Sequence, residues 1–157
     1  MLEFLNNLKA DMFSKVKKGP TNCPCCGSTQ ALYTKALSKN MAKGLVHLTK
    51  DFKPGEEFHL INYFFTLNHK DIRTATDANL SKLSLFGLIE EAPSKAKGYY
   101  VYSDKTVKFM LGAVMVPEKI STYNNVVVEE SRNQVTLKGA LKDEASYPQS
   151  INWKQAI

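Results

Sequence analysis

The sequence lacks a long apolar run. No stretch of the 157 residues approaches the roughly 18 apolar side chains that a membrane-spanning helix needs, so we expect no membrane partner. The opening residues, MLEFLNNLKAD, also lack the basic start and apolar core of a secretory signal. Cysteine is scarce, and Cys23, Cys25 and Cys26 are clustered instead of being spread as a disulfide framework. We therefore expect an intracellular, cytoplasmic protein.

Familiar catalytic motifs are missing as well. The sequence contains no G-x-x-x-x-G-K phosphate loop, no H-E-x-x-H pair and no G-x-S-x-G turn. Adjacent acidic pairs occur at Glu56-Glu57, Glu90-Glu91 and Glu129-Glu130, among others. Because neighbours on a strand face opposite sides, such pairs are typical of solvated charge and not of an acid/base dyad. The sequence predicts that the protein is not an enzyme.

Positive charge is distributed unevenly along the chain. Residues 1–53 contain nine lysines and three acidic residues and so carry +6, which equals the net charge of the whole chain. Residues 54–98 sum to −1 and residues 99–157 to +1. A basic segment of this kind can bind phosphate, face an acidic protein or be an ordinary solvated surface, and the sequence leaves these alternatives open.

The first segment reads as an amphipathic helix. Apolar residues recur at spacings of three and four, at Leu2, Leu5, Leu8, Met12 and Val16. Gly19-Pro20 should end the helix. The pattern predicts a helix over 1–18 that docks on the rest of the chain or forms a homodimer with a second copy.

Further elements follow from capping and periodicity. Ser38 is the expected N-cap of a second helix that ends near Lys50, before a turn at Pro54-Gly55. The apolar block 56–67 is ambiguous and is predicted as a helix, and a helix over 72–86 should end at Gly87. Strands are expected at 88–89 and 99–102, followed by a helix capped at Ser103, and 114–117, 126–128 and 135–137 are expected to form one small sheet.

Two stretches in this order carry a family resemblance. Residues 80–91, LSKLSLFGLIEE, and 98–104, GYYVYSD, resemble the winged-helix family, in which a recognition helix is followed by a wing hairpin and a further helix. The resemblance covers about residues 60–112. It implies an α+β fold with a winged helix-turn-helix core at 38–112, an N-terminal helix at 1–18, a cysteine-containing turn at 19–37, and a C-terminal β extension and tail at 113–157.

The winged-helix resemblance implies double-stranded DNA as a partner, because such folds place a helix in the major groove. The residues then expected to contact DNA are Lys70, Arg73, Thr74, Thr76, Asn79, Lys82, Lys95 and Lys97. Asp71 and Asp77 count against this, since they would repel phosphates. The alternative is a protein-interaction module that binds and inhibits a host protein.

A second resemblance concerns origin. The turn Cys23-Pro24-Cys25-Cys26-Gly27, together with FMLG at 109–112, Val116-Pro117 and Tyr123-Asn124, resembles a group of small phage-encoded proteins. This implies a viral protein acting in the cytoplasm of its host, as a regulator or by host interaction.

The cysteine turn itself is open to two interpretations. Cys23-x-x-Cys26, with proline inside and glycine after it, is typical of a zinc knuckle, but a structural zinc site needs four ligands. No second cysteine pair exists, and the remaining donors are His47, His59 and His69. The sequence predicts either a zinc site that includes Cys23, Cys26 and His47, or a turn of free thiols. A redox role for this pair would be expected in a β-α-β context, which the sequence does not show.

Overall fold

The computed structural model describes residues 1–66 and 80–142. Its helices are α1 (Leu2–Lys18), α2 (Lys39–Asp51), α3 (Leu60–Thr66), α4 (Asp104–Met110) and α5 (Leu137–Ala140), with a 3₁₀ helix at Ser81–Phe86. Its strands are β1 (Thr21–Asn22), β2 (Thr29–Gln30), β3 (Tyr33–Ala36), β4 (Phe58–His59), β5 (Glu90–Glu91), β6 (Tyr99–Val101), β7 (Val116–Pro117), β8 (Lys119–Tyr123), β9 (Val126–Glu130) and β10 (Gln134–Val135). The predicted α+β class is confirmed.

The chain divides into two compact units. The first consists of Met1–Lys35 and Lys119–Glu130, and the second of Ala36–Glu118 and the described chain from Ser131 onward. The described part of the expected β extension, residues 113–142, is therefore divided between the units. The expected tail, from residue 143 onward, lies outside the described residues.

In the first unit, α1 has the predicted bounds but buries only part of its apolar stripe. Met12 and Val16 are buried, whereas Leu2 and Leu5 are 79% and 47% exposed. The helix ends at Lys18 immediately before Gly19, as its sequence predicts.

The cysteine segment forms a β-hairpin, which the sequence did not reveal. β1 pairs antiparallel with β2, so that Thr21 lies opposite Gln30 and Asn22 opposite Thr29, and the cysteines occupy the turn. The same unit contains a sheet in the order β3-β8-β9. Asn124 and Asn125 connect β8 to β9 with positive φ angles of 50° and 62°, a conformation that asparagine tolerates in two-residue hairpin turns.

The expectation of one C-terminal sheet was wrong. β10 pairs with β7 in the second unit, with Gln134 opposite Pro117, while β9 pairs with β8 in the first unit. Leu137 begins the short helix α5 and does not extend a strand. Thr136 explains the change, because its hydroxyl accepts the Gly139 N–H at 3.1 Å and so caps a helix at this point.

In the second unit, α2 begins directly after Ser38, the N-cap that the sequence predicts. The Ser38 hydroxyl accepts the Met41 N–H at 3.2 Å, and Met41, Leu45 and Leu48 are buried. The turn expected at Pro54-Gly55 is present.

The prediction for the block 56–67 was partly wrong. Phe58–His59 is a strand, β4, and α3 starts only at Leu60. Phe58 is buried and lies opposite Tyr100 of β6. His59 marks the change to helix, because its Nδ1 accepts the Asn62 N–H at 3.2 Å in the first turn of α3.

Most of the helix expected at 72–86 lies outside the described residues. Its last part, Ser81–Phe86, is 3₁₀ and not α-helical, with Leu83 and Phe86 buried. Gly87 ends it in the left-handed conformation at φ 69°, as predicted. The returning strand β6 then pairs with both β5 and β4, which gives the antiparallel order β4-β6-β5. Leu111, which follows the last residue of α4, is 48% exposed.

Candidate functional site

The loop between β5 and β6 is a tight and exposed turn. Lys95 N–H donates to the Ala92 carbonyl at 2.8 Å, and Tyr99 N–H donates to the Ala96 carbonyl at 3.1 Å. Lys95 has a positive φ of 53°. Lys95 and Lys97 are both exposed, so the loop presents two cations to solvent.

This lysine loop (residues 92–98) is held by contacts to the segment around β4. The Glu57 carboxylate accepts hydrogen bonds from the Ser94 N–H at 3.2 Å and from the Ser94 hydroxyl at 2.8 Å. The Gly98 carbonyl accepts the Leu60 N–H at 3.1 Å. These bonds position the loop through residues far from it in sequence, and no local sequence signal links Glu57 to Ser94.

Gly98 closes the lysine loop at a point where no side chain fits. Its φ is +83°, and a Cβ on it would lie 2.7 Å from His59 Nε2. The His59 ring in turn meets the Tyr99 ring edge-on, with the centroids 5.0 Å apart. His59 is therefore placed by α3 and β6 together, and its ring supports the base of the loop.

The structure describes three of the eight residues expected to contact DNA. Lys95 and Lys97 lie together on the lysine loop, and Lys82 is half-buried on the 3₁₀ helix. Lys70, Arg73, Thr74, Thr76 and Asn79 lie outside the described residues.

The charge around the lysine loop is mixed. Glu90 and Glu91 are exposed on β5, which leads into the loop. Glu57 is also exposed, although its carboxylate is already a partner of Ser94. The two lysines thus project from a hairpin whose base is acidic.

Two tyrosines, the buried Tyr102 and the half-buried Tyr63, form hydrogen bonds within the second unit. The Tyr102 hydroxyl donates to the Phe52 carbonyl, and burial together with the negative charge of Glu56 raises the pKa of Tyr102 to about 12. The Tyr63 hydroxyl bonds to the Asp51 carboxylate and to the His47 carbonyl at 3.1 Å. Burial and Asp51 raise the pKa of Tyr63 well above its ordinary value. Both hydroxyls are therefore neutral donors at ordinary pH.

The cysteine hairpin (β1, β2 and residues 23–28 between them) carries its three thiols on one turn. Cys26 Sγ lies 3.0 Å from Ser28 Oγ. Hydrogen bonding to the Ser28 side chain, then to its backbone and to Cys23, lowers the pKa of the Cys26 thiol. Cys25 is exposed on the same turn.

The expected zinc ligands fall in different units. Cys23 and Cys26 belong to the first unit, and His47 lies on α2 of the second. In the part of the chain that the structure describes, His, Cys, Asp and Glu side chains form no group of three or more that could hold a metal ion. A zinc site here stays a prediction from the sequence.

The basic N-terminal helix has acidic partners within its own unit. Lys15 pairs with Asp11 at 2.8 Å, and Lys17 pairs with Glu129 at 3.3 Å. These pairs are about half exposed, so each contributes little to stability, but they reduce the positive charge that α1 presents. Beside them lies a largely apolar groove of about 620 Å³, lined by Leu8, Lys9, Ala10, Met12, Phe13, Cys23, Gln30, Tyr123 and Asn124.

Comparisons with protein families, with curated proteins and with solved structures found no match. Across residues 1–66 and 80–142, no helix combines the length and the apolar character that a bilayer crossing requires.

Proposed function

We propose that the chain is a DNA-binding protein of winged-helix type that acts as a regulator. The observation that carries this proposal is the sheet order β4-β6-β5. β4 lies between α2 and α3 in sequence and pairs with the returning strand of the later hairpin. A winged helix joins the strand after its first helix to its wing in this manner, and its wing flanks the helix that enters the groove.

The lysine loop takes the place of the wing in this proposal. Lys95 and Lys97 contact phosphates, which fix the position of the protein on the duplex without reading sequence. The two hydrogen bonds that Ser94 donates to the Glu57 carboxylate keep the loop in place before DNA arrives, so less ordering entropy is lost on binding.

In this proposal the segment before the hairpin, which the sequence predicts to be the recognition helix, reads the bases. Arg73 and Asn79 have the side chains that pair bidentately with guanine and adenine, respectively. The polar residues that accompany them are Lys70, Thr74, Thr76 and Lys82.

A fluorescence-anisotropy titration with random duplex DNA at a series of salt concentrations tests the proposal. We expect affinity to fall steeply with salt, because bound lysines release condensed counterions from DNA. Replacing both Lys95 and Lys97 by alanine should reduce the slope of log K against log salt by about 2, since each phosphate contact contributes about 0.9.

Lys138→Ala with Lys142→Ala is the matched control. Both lysines are exposed, and the double variant loses the same charge in the same unit but outside the hairpin. Its salt slope should stay close to that of the unaltered protein. An equal reduction in both double variants would show that total charge, and not the lysine loop, governs binding.

The second candidate function is a module that binds and inhibits a host protein. The exposed Glu90 and Glu91 favour it, because carboxylates at the base of the hairpin repel a phosphate backbone. The same titration separates the two candidates. No DNA binding at low salt, combined with stoichiometric capture of one host protein that is insensitive to salt, would replace the DNA proposal with this one.

A further inference from the structure

The first half of α1 exposes a cluster of apolar side chains. All of residues 1–7 are exposed, and within them Leu2, Phe4 and Leu5 are 79%, 69% and 47% exposed. The second half of the same helix instead packs against its unit through the buried Met12. A contiguous apolar surface of this kind is typical of a site where another surface docks.

The apolar groove of the first unit lies beside the second half of α1 and continues the exposed face. Leu2, Leu5, Lys9 and Phe13 recur at spacings of three and four, so they share one face of the helix. Lys9 and Phe13 line the groove, whose other walls are the cysteine hairpin and the turn between β8 and β9. The Phe13 ring meets the Tyr123 ring there, with the centroids 5.9 Å apart. One helix face thus carries both an exposed apolar segment and an apolar groove.

We propose that two copies of the chain form an antiparallel dimer, in which the N-terminal arm (residues 2–8) of each copy lies in the groove of the other. A parallel alignment would place arm against arm and leave both grooves empty. An antiparallel crossing near Leu8 instead brings each arm to the other groove, because Leu5 and Met12 lie about 10 Å apart along the axis, on opposite sides of the crossing. The contact then forms twice about a twofold axis, which is the commonest symmetry of homodimers.

Charge favours a second copy as the occupant of the groove. Glu3 is the one charged side chain of the arm, and Lys9 is the one charged side chain of the groove lining. Both are exposed, and neither belongs to an ion pair among the described residues, unlike Lys15 and Lys17 of the same helix. Residues six positions apart do not face each other on a helix, so Glu3 and Lys9 are suited to pair between copies. Glu3 would repel the anionic surface of a membrane, the other partner that an exposed amphipathic helix can have.

The dimer does not depend on the DNA-binding proposal. The arm and the groove belong to the first unit, whereas the lysine loop belongs to the second. Loss of dimerisation and loss of the lysine-loop contribution to the salt slope are therefore separate outcomes.

The first test is sedimentation velocity on the full chain without DNA, under reducing conditions and over a wide range of protein concentrations. We expect a reversible monomer–dimer equilibrium. Leu2→Ser with Leu5→Ser should remove the dimer and leave the circular dichroism spectrum unchanged, because both side chains are already exposed in the monomer. Tyr33→Thr is the matched control, since Tyr33 is 61% exposed in the same unit but lies outside the arm and the groove, and it should dimerise normally.

A charge exchange tests the predicted pairing of the two surfaces. Glu3→Lys and Lys9→Glu should each raise the dissociation constant of the dimer about tenfold, because each creates two like-charge contacts. The double variant restores opposite charges at both contacts, so its dissociation constant should return close to that of the unaltered chain. Lys35→Glu changes the net charge as Lys9→Glu does, but on exposed β3, and should have little effect.

Three results would overturn the proposal. One is a chain that stays monomeric at every concentration; if this monomer also sediments with vesicles of anionic lipid, the apolar face binds a lipid surface instead. Another is a dimer that persists in the Leu2→Ser, Leu5→Ser variant, because a different surface would then hold the copies together. The third is a charge-exchanged double variant that dimerises no more tightly than the two single variants.

Discussion

Replacing Gly44 by alanine should destabilise the second unit, although alanine is the better helix former. Gly44 lies inside α2, and a Cβ built on it would overlap Leu80 Cδ2 and lie 3.4 Å and 3.5 Å from Cδ1 and Cγ of the same side chain. Leu80 is fully buried, so the overlap must be relieved by repacking the core. Overpacking costs about 1–3 kcal/mol, and the gain in helix propensity offsets about 1 kcal/mol. We expect a net loss of about 1 kcal/mol in the free energy of unfolding, measured by urea denaturation.

A double-mutant cycle isolates the contact between the two residues. Leu80→Ala alone should cost about 2–5 kcal/mol because it leaves a cavity. In that background Gly44→Ala meets open space, so it should become neutral or stabilising by up to about 1 kcal/mol. The expected coupling is about 2 kcal/mol, within the range found for residues in contact. If Gly44→Ala has the same effect in both backgrounds, the steric account of this glycine is wrong.

Two further predictions concern capping and alkaline pH. Ser38→Ala should lower the free energy of unfolding by about 1 kcal/mol, because the Met41 N–H loses its acceptor, while Ser38→Asp should restore most of the loss in urea denaturation. The raised pKa of Tyr102, about 12 against 10.0 for an unperturbed tyrosine, contributes stability that is complete below pH 10 and is lost as pH rises towards 12. Tyr102→Phe should therefore make the unfolding free energy depend less on pH between about pH 10 and pH 12. If the slope of unfolding free energy against pH is unchanged in this variant, groups other than Tyr102 cause the pH dependence.

Helix boundaries that depend only on residues nearby in the sequence could be predicted. Ser38 and Gly87 mark helix boundaries through bonds and backbone angles within a few residues, and both predictions are confirmed. β4 was missed because Phe58 becomes a strand residue only by pairing with Tyr100, far along the chain. An apolar run gives no sign of such a partner.

The candidate site likewise has one part that the sequence predicts and one part that it does not. The loop that carries Lys95 and Lys97 follows from its composition and from Gly98. The attachment of this loop through the hydrogen bonds between Ser94 and Glu57 could not be predicted, because each residue by itself is an ordinary polar surface position. The location of Cys23 and Cys26 on one turn follows from their spacing, whereas the contact between Cys26 and Ser28 depends on the hairpin register.

The division of the chain also dictates an order of assembly during synthesis. The first unit contains residues 1–35 but needs 119–130 to complete its sheet, and the Thr34 hydroxyl meets that of Ser121 at 3.0 Å. At roughly 5–20 residues per second, the ribosome delivers β8 and β9 several seconds after β3. The N-terminal helix and the cysteine hairpin thus leave the ribosome first and complete their packing only after residues 36–118 of the second unit have been made. During that interval their apolar surface is open to chaperones, to a second nascent chain and to oxidants.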